Sequence, residues 1–349
     1  MRRRLPLFLA ALTLGAAALV TPSAPANASP PRPEFVTGTG DHGPADVRSY
    51  DATGNLLSEF IANAGNTGAR VALGDVDADL QPDIIVGSGP GVPSMVRVFH
   101  MDGTLIGSFS PYGAFTGGVN VGVGDIDNNA NNAGPSDEIV TAADAGGGPH
   151  VIVWNWNATA KTADATFSWF AYDPAFRGGV NLSVFDVVNS SRADVITGAG
   201  PGGGPHVIVW DLGSGTPTID GSWVAYDNAF SGGVHVSGGE IDGQRAVVTG
   251  PGLGGGPHVK LWSTHGDLRS QFLAYDDAFR GGINVLLTTA QGGDLGHIIT
   301  APASNGGPDI KAFTSSGSPL WRVIAYNNAM NNGVTLARVP QFGTTNNIG

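Results

Sequence analysis

Short apolar runs alternate with turns rich in glycine and aspartate along the whole chain, and they do so with a fixed period. Six β-like segments begin at Phe35, Ile84, Ile139, Val195, Val247 and Ile298, at spacings of 49, 55, 56, 52 and 51 residues. Fifteen positions after each start lies an aromatic residue: Tyr50, Phe99, Trp154, Trp210, Trp262 and Phe313. Three positions before each aromatic is a β-branched residue: Val47, Val96, Val151, Val207, Val259 or Ile310. Two marks kept in register through six copies identify an internal repeat. The alternation of faces around the aromatic predicts a strand.

Each unit carries four such signals. In the fourth they are Val195–Thr197, Val207–Trp210, Trp223–Tyr226 and Gly233–Val236, with a glycine-rich turn from Gly198 to Pro205 after the first. Four short strands per unit, repeated radially, predict an all-β fold: a six-bladed β-propeller of four-stranded blades. The chain enters the repeat at Phe35 and leaves it at Asn332–Leu336, a segment matching the strand that would precede Phe35. Three N-terminal strands and this last strand are expected to complete one blade and close the ring without a free edge. The propeller is thereby placed at residues 35–341, with a short linker at 29–34 and a tail at 342–349.

Composition agrees with this reading. With 54 Gly and 23 Pro in 349 residues, long helices are disfavoured. The 41% of hydrophobic residues, seven Trp among them, supply a core. At the N-terminus, Arg2-Arg3-Arg4, an apolar run from Leu5 to Val20 and Ala26-Asn27-Ala28 read as a secretory signal peptide cleaved after Ala28. The run is short for a membrane span, and nothing later is long and apolar enough for one. Removing a leader that holds three of the 17 basic residues leaves 14 against 29 acidic ones, a net charge of −15. Nucleic-acid binding, which rests on a basic footprint, is disfavoured. An exported chain with no Cys relies on its core, with bound cations as a further support.

Three stretches resemble FG-GAP repeats, the integrin-α-like propeller blades common in exported bacterial proteins. They are Ala175-Phe176-Arg177-Gly178-Gly179-Val180, Gly74-Asp75-Val76-Asp77-Ala78-Asp79 and Asp83-Ile84-Ile85-Val86-Gly87. The loop from Asp75 through Asp77 and Asp79 to Asp83 puts carboxylates at positions 1, 3, 5 and 9. Such a turn wraps hard oxygens around a cation, and Ca²⁺ asks for six to eight of them. The resemblance implies a further oxygen from the backbone of Gln81 and a structural role for the ion. A weaker copy is read at Asp125, Asp127 and Asn129, with Asp137 as its late closing carboxylate. The loops at Asp186–Asp194, Glu240–Ala246 and around Asp294 keep too few anionic ligands and are expected to be metal-free.

Because successive strands are antiparallel, the Asp loops fall on one face of the disc. The glycine-rich turns and the Tyr-Asp segments between blades fall on the other. That second face carries the repeated Gly-Pro-His turns ending at His150, His206 and His258, and the pairs Tyr172-Asp173, Tyr226-Asp227 and Tyr275-Asp276. The histidines admit a structural hydrogen bond, ligand contact or, least of all, metal. The tyrosines admit core packing or a hydroxyl at the rim. Gly198-Ala199-Gly200-Pro201-Gly202-Gly203 satisfies G-x-G-x-x-G but is followed by Pro205 and a strand rather than a helix, so the dinucleotide reading fails. These features favour a secreted, monomeric, non-enzymatic adhesion or binding scaffold for an extracellular glycan or protein. The alternative is a glycan-active hydrolase or lyase with its site in the propeller mouth.

Overall fold

A computed structural model describes residues 33–63, 65–128, 136–188, 190–288 and 295–338. The leader, most of the linker and the tail lie outside the described residues, as do Asn129 and Asp294. Within them the chain forms β1 (Phe35–Thr39), β2 (Asp46–Tyr50), β3 (Leu56–Ile61), β4 (Ala69–Gly74), β5 (Asp83–Ser88), β6 (Val96–His100), β7 (Leu105–Phe109) and β8 (Val119–Gly124). Next come β9 (Glu138–Ala143), β10 (His150–Asn157), β11 (Thr162–Phe170), β12 (Val180–Phe185), β13 (Asp194–Ala199), β14 (His206–Asp211), β15 (Thr218–Val224) and β16 (Val234–Ile241). The rest are β17 (Gln244–Pro251), β18 (His258–Trp262), β19 (Leu268–Leu273), β20 (Ile283–Leu287), β21 (Ile298–Pro302), β22 (Asp309–Phe313), β23 (Pro319–Ile324) and β24 (Val334–Arg338).

These strands make six four-stranded antiparallel sheets. Blade 1 has the order β24-β1-β2-β3, and blades 2 to 6 follow as consecutive meanders from β4 to β23. Val36 sits opposite Ala337 and Thr39 opposite Val334, so the two chain ends close the ring by strand pairing. The innermost strands β4, β8, β12, β16, β20 and β24 pack side by side around a central channel. The fold is the six-bladed propeller expected from the repeat.

The repeat's markers have physical counterparts. Each aromatic fifteen residues into a unit sits beside a β-bulge in the pairing of its strand with the outermost one, in all six blades. A bulge adds local twist, which each blade needs to fan out from the channel. Second strands such as β5, β9 and β13 are buried at every position because they face a neighbouring blade on both sides. Val71, Ile84 and Phe99 of blade 2 meet Val36, Val47 and Phe60 of blade 1 in one such wedge. Burying a side chain of this size stabilises by about 1.5–3 kcal/mol. Strands with no solvent-facing side leave little room for charge, hence only 13% of charged residues.

Candidate functional site: the Asp loops, the channel mouth and the glycine-loop face

The loop between β4 and β5 curls through Ala78 and Leu80, both at positive φ (63° and 67°). The curl brings carboxylate oxygens of Asp75, Asp77 and Asp79 within 4.8 Å of one another. Asp75 accepts the N–H groups of Asp79 (3.2 Å) and Leu80 (2.9 Å), and Asp79 accepts that of Gln81 (2.7 Å). Asp83, the first residue of β5, is fully buried. Its Oδ2 accepts Val76 N–H at 3.2 Å, while its Oδ1 has no hydrogen-bond partner. Burial above all, with the nearby Asp77 carboxylate, pushes the Asp83 carboxyl up to about 7. Carboxylate oxygens clustered beside a buried carboxyl suit a divalent cation.

The second loop corrects the sequence reading. Asp137 does not close it. Its Oδ2 turns back to blade 2 and accepts the Asp75 N–H at 3.0 Å. The closing place belongs to Glu138, which opens β9 as Asp83 opens β5: Gly124 pairs with Glu138 as Gly74 pairs with Asp83. Glu138 is buried, its Oε2 accepts the Ile126 N–H at 2.8 Å, and its carboxylate gathers with those of Asp125 and Asp127 within 4.8 Å. Successive residues of a strand point to opposite faces, so a one-residue offset moved the chosen carboxylate out of its loop. In the third loop Arg245 of blade 5 reaches over and pairs with Asp186 at 2.6 Å.

On the opposite face the tyrosine hydroxyls are turned inward rather than to the rim. Tyr172 donates to the His206 carbonyl of the next blade (3.0 Å), Tyr226 to that of His258 (2.9 Å) and Tyr275 to that of Asp309 (2.7 Å). Tyr112 and Tyr326 do the same to His150 (3.1 Å) and Asp46 (3.1 Å). Each hydroxyl also meets a buried threonine, as Tyr226 meets Thr249 at 3.1 Å, and Trp262 Nε1 donates to that same threonine at 2.9 Å. Burial raises every one of these phenols. Asp173, Asp227 and Asp276 accept the N–H two residues on, from Ala175, Ala229 and Ala278, and so fix the turn that enters the next blade. His150 and His206 hydrogen-bond Ser168 and Ser222 of the neighbouring outer strand through Nε2, both at 2.8 Å. Burial lowers all three repeated histidines, His258 included.

Sequence reasoning missed the channel. Asn120, Asn181 and Asn284, at the second position of their inner strands, donate from Nδ2 to the first carbonyl of the next inner strand: Val180 (2.8 Å), Val234 (2.9 Å) and Val334 (2.8 Å). His235 Nδ1 donates to Ile283 (2.9 Å) and Thr335 Oγ1 to Ala69 (2.6 Å), which makes five of six links in a polar belt. A carbonyl can only accept, so His235 carries its proton on Nδ1. The sixth member is Arg70. It leaves the belt and forms ion pairs with Asp41 of blade 1 and Asp144 of blade 3. This cluster borders a cavity of about 110 Å³ at the glycine-loop end of the channel. Arg338 occupies the other end, donating to the Val184 carbonyl at 2.8 Å with its guanidinium 4.2 Å over the Phe185 ring. A signal was available: all six belt residues stand two after a glycine at positive φ (Gly68, Gly118, Gly179, Gly233, Gly282 and Gly333).

No protein-family model matches the chain, and no curated protein sequence does. Among solved structures it is similar to a Bacteroides caccae protein of unknown function, at 9% identity and a TM-score of 0.53, covering 89% of this chain and all of that one. Saccharomyces cerevisiae Sqt1 follows at 13% identity and 0.47, covering 88% of this chain and 82% of that one. The rhamnogalacturonan lyase YesW stands at 13% identity and 0.43, covering 80% and 59%. At these identities the likeness is one of fold: a β-propeller.

Proposed function

We propose that this chain is a secreted, monomeric, non-enzymatic binding scaffold of the FG-GAP type, stabilised by calcium, whose glycine-loop face holds an extracellular protein or glycan. One observation carries the binding role. The last residue of the outermost strand is apolar and exposed in five blades: Ile61, Phe170, Val224, Leu273 and Ile324, at 41–58% exposure. Each is paired across its sheet with Asp46, His150, His206, His258 or Asp309 respectively. An apolar side chain beside a polar or ionisable one, repeated around one rim, gives several weak contacts that add through avidity. The tyrosine hydroxyls are spent between blades, which shifts the balance from a sugar platform toward a protein surface.

Calcium would be held by Asp75, Asp77, Asp79, Asp83 and the Gln81 carbonyl in blade 2, and by Asp125, Asp127 and Glu138 in blade 3. Its contribution there is charge neutralisation. The clustered carboxylates and the burial of Asp83 beside Asp77 support this reading.

Binding is tested by screening the protein purified without its leader against immobilised glycans and extracellular matrix proteins. A Phe170→Ser/Val224→Ser/Leu273→Ser variant should lose binding that Leu105→Ser, on the Asp-loop side, retains. Equal binding by both overturns the rim assignment. The second reading, a glycan hydrolase or lyase, draws on the break of symmetry at Arg70, Asp41 and Asp144 in the mouth. Reproducible cleavage of a screened glycan, abolished by Asp144→Asn, would establish it in place of the scaffold.

A further inference from the structure

Beside the calcium loop lies a donor that calcium does not call for. His100, the last residue of β6, is 42% exposed, and its Nδ1 stands in ion-pair contact with Asp83 Oδ1 at 3.3 Å, an oxygen that accepts no hydrogen bond. Ligand atoms of Asp77, Asp83 and His100 all lie within 4.8 Å of one another. Two features meet here. One is a fully buried carboxylate oxygen without a hydrogen bond. The other is an imidazole nitrogen aimed at it from solvent. Imidazole is a borderline ligand that suits zinc and neighbouring transition ions, whereas calcium takes oxygens. Tetrahedral zinc at about 2.0–2.1 Å from its ligands requires those ligands to stand about 3.3 Å apart, the separation seen between His100 and Asp83. The other five repeats place Asp51, Asn155, Asp211, Ser263 and Thr314 at the position of His100. Repetition of the blade therefore does not explain the imidazole.

We infer that Asp77, Asp83 and His100 form a transition-metal site of the zinc class on the rim of blade 2, with its remaining position open to water. The site shares Asp77 and Asp83 with the calcium reading, so the two ions compete, but it stands on His100 and does not require that reading. Three protein ligands and an open position would make the ion exchangeable.

The test uses the full folded chain without its leader, stripped with chelator and titrated separately with ZnCl₂ and CaCl₂. Melting temperature and calorimetric stoichiometry are read, with Co²⁺ absorption as the spectroscopic probe of a nitrogen ligand. The expected result is one Zn²⁺ per chain at this loop, with affinity reduced at least about 10- to 100-fold by His100→Gln, while the Ca²⁺ response of that variant persists. Asp75→Asn should do the reverse, weakening Ca²⁺ and sparing Zn²⁺. His100 is at the surface, so its variant is expected to fold, and an unchanged metal-free melt verifies this. Zn²⁺ binding that is absent, or indifferent to His100→Gln, overturns the inference even where Ca²⁺ still binds. Zn²⁺ binding through His100 without any Ca²⁺ response upholds it and removes the calcium assignment instead.

Discussion

The Arg70 cluster offers the sharpest test of how this ring is held together. Replacing Arg70 with Asn, the residue that blades 3, 4 and 6 place in the belt, should restore the missing link to the Val119 carbonyl while stranding two carboxylates. The side chains of Arg70 and Asp144 are 12% and 17% exposed, and that of Asp41 is 42% exposed. Removing one partner of a buried pair costs about 3–5 kcal/mol, and incomplete burial places the Asp144 loss at about 3 kcal/mol. The exposed pair with Asp41 adds at most about 1 kcal/mol. The regained amide–carbonyl bond returns about 1 kcal/mol. The net expectation is a loss of about 2–3 kcal/mol, which for a domain of this size is a melting temperature roughly 3–5 °C lower. Asp144 stands where four other blades have Gly40, Gly89, Gly200 and Gly252. Adding Asp144→Gly to Arg70→Asn therefore removes the stranded charge and should recover most of the loss. Calorimetric melts of wild type, both single variants and the double give a cycle with a coupling energy of about 1.5 kcal/mol or more. If Arg70→Asn melts like wild type, or the double variant is no better than the single, the cluster does not latch blades 1, 2 and 3.

Three further outcomes are expected. Tyr226→Phe removes a hydroxyl shared between Thr249 and the His258 carbonyl and should cost about 1 kcal/mol in urea unfolding; an unchanged midpoint would mean that the inter-blade bond carries no stability. Chelator should lower the melting temperature, and Asp75→Ala with Asp77→Ala should abolish most of that sensitivity; equal melts with and without chelator refute calcium as a stabiliser. Burial raises the Asp194 carboxyl to about 7 from an ordinary value of 3.8, so the folded state holds this proton more tightly than the unfolded one. Its contribution is complete below about pH 4 and is lost as pH rises to about 7. Asp194→Asn should then gain about 1–3 kcal/mol at pH 8 and flatten stability between pH 5 and 8, and a variant as pH-dependent as wild type in that range would show that Asp194 is not the group responsible.

The fold was legible because its determinants recur. The aromatic at the bulge, the β-branched residue three before it and the glycines entering each blade sit at fixed offsets, and six copies turn a weak local signal into a count of blades. The ring closure was legible for the same reason, since Val334–Leu336 matches a strand whose partners lie at the other end of the chain. What escaped is relational. That Glu138 rather than Asp137 closes the second loop depends on which face of β9 a residue occupies, and an insertion between Asp127 and Asp137 hides that phase. The fate of the tyrosine hydroxyls depends on a carbonyl of the adjacent blade, 32 to 38 residues downstream for four of them and across the ring closure for Tyr326. His100 lies in a strand of its own sequence but belongs to the loop around Asp83, across the β5–β6 pairing.

The belt and the tyrosine bonds explain where individuality is permitted. A tyrosine hydroxyl fastens blades 2–3, 3–4, 4–5, 5–6 and 6–1, and the belt fastens every junction except 2–3. The junction of blades 1 and 2 has Asn63 and Val86 in place of the Tyr and Thr found elsewhere. Blade 2 is thus the one whose standard fastening fails on both sides, once for each kind of bond, and Arg70 spans both junctions through Asp41 and Asp144. The four-carboxylate loop and His100 are carried on that same blade. A blade joined to its neighbours by ion pairs and loop carboxylates, rather than by neutral hydrogen bonds alone, is the one whose docking is expected to respond to cations, salt and pH. Hydrogen exchange should therefore report faster opening of β4 to β7 than of β16 to β19 after chelation in high salt, because the former rely on charge while the latter keep both neutral fastenings.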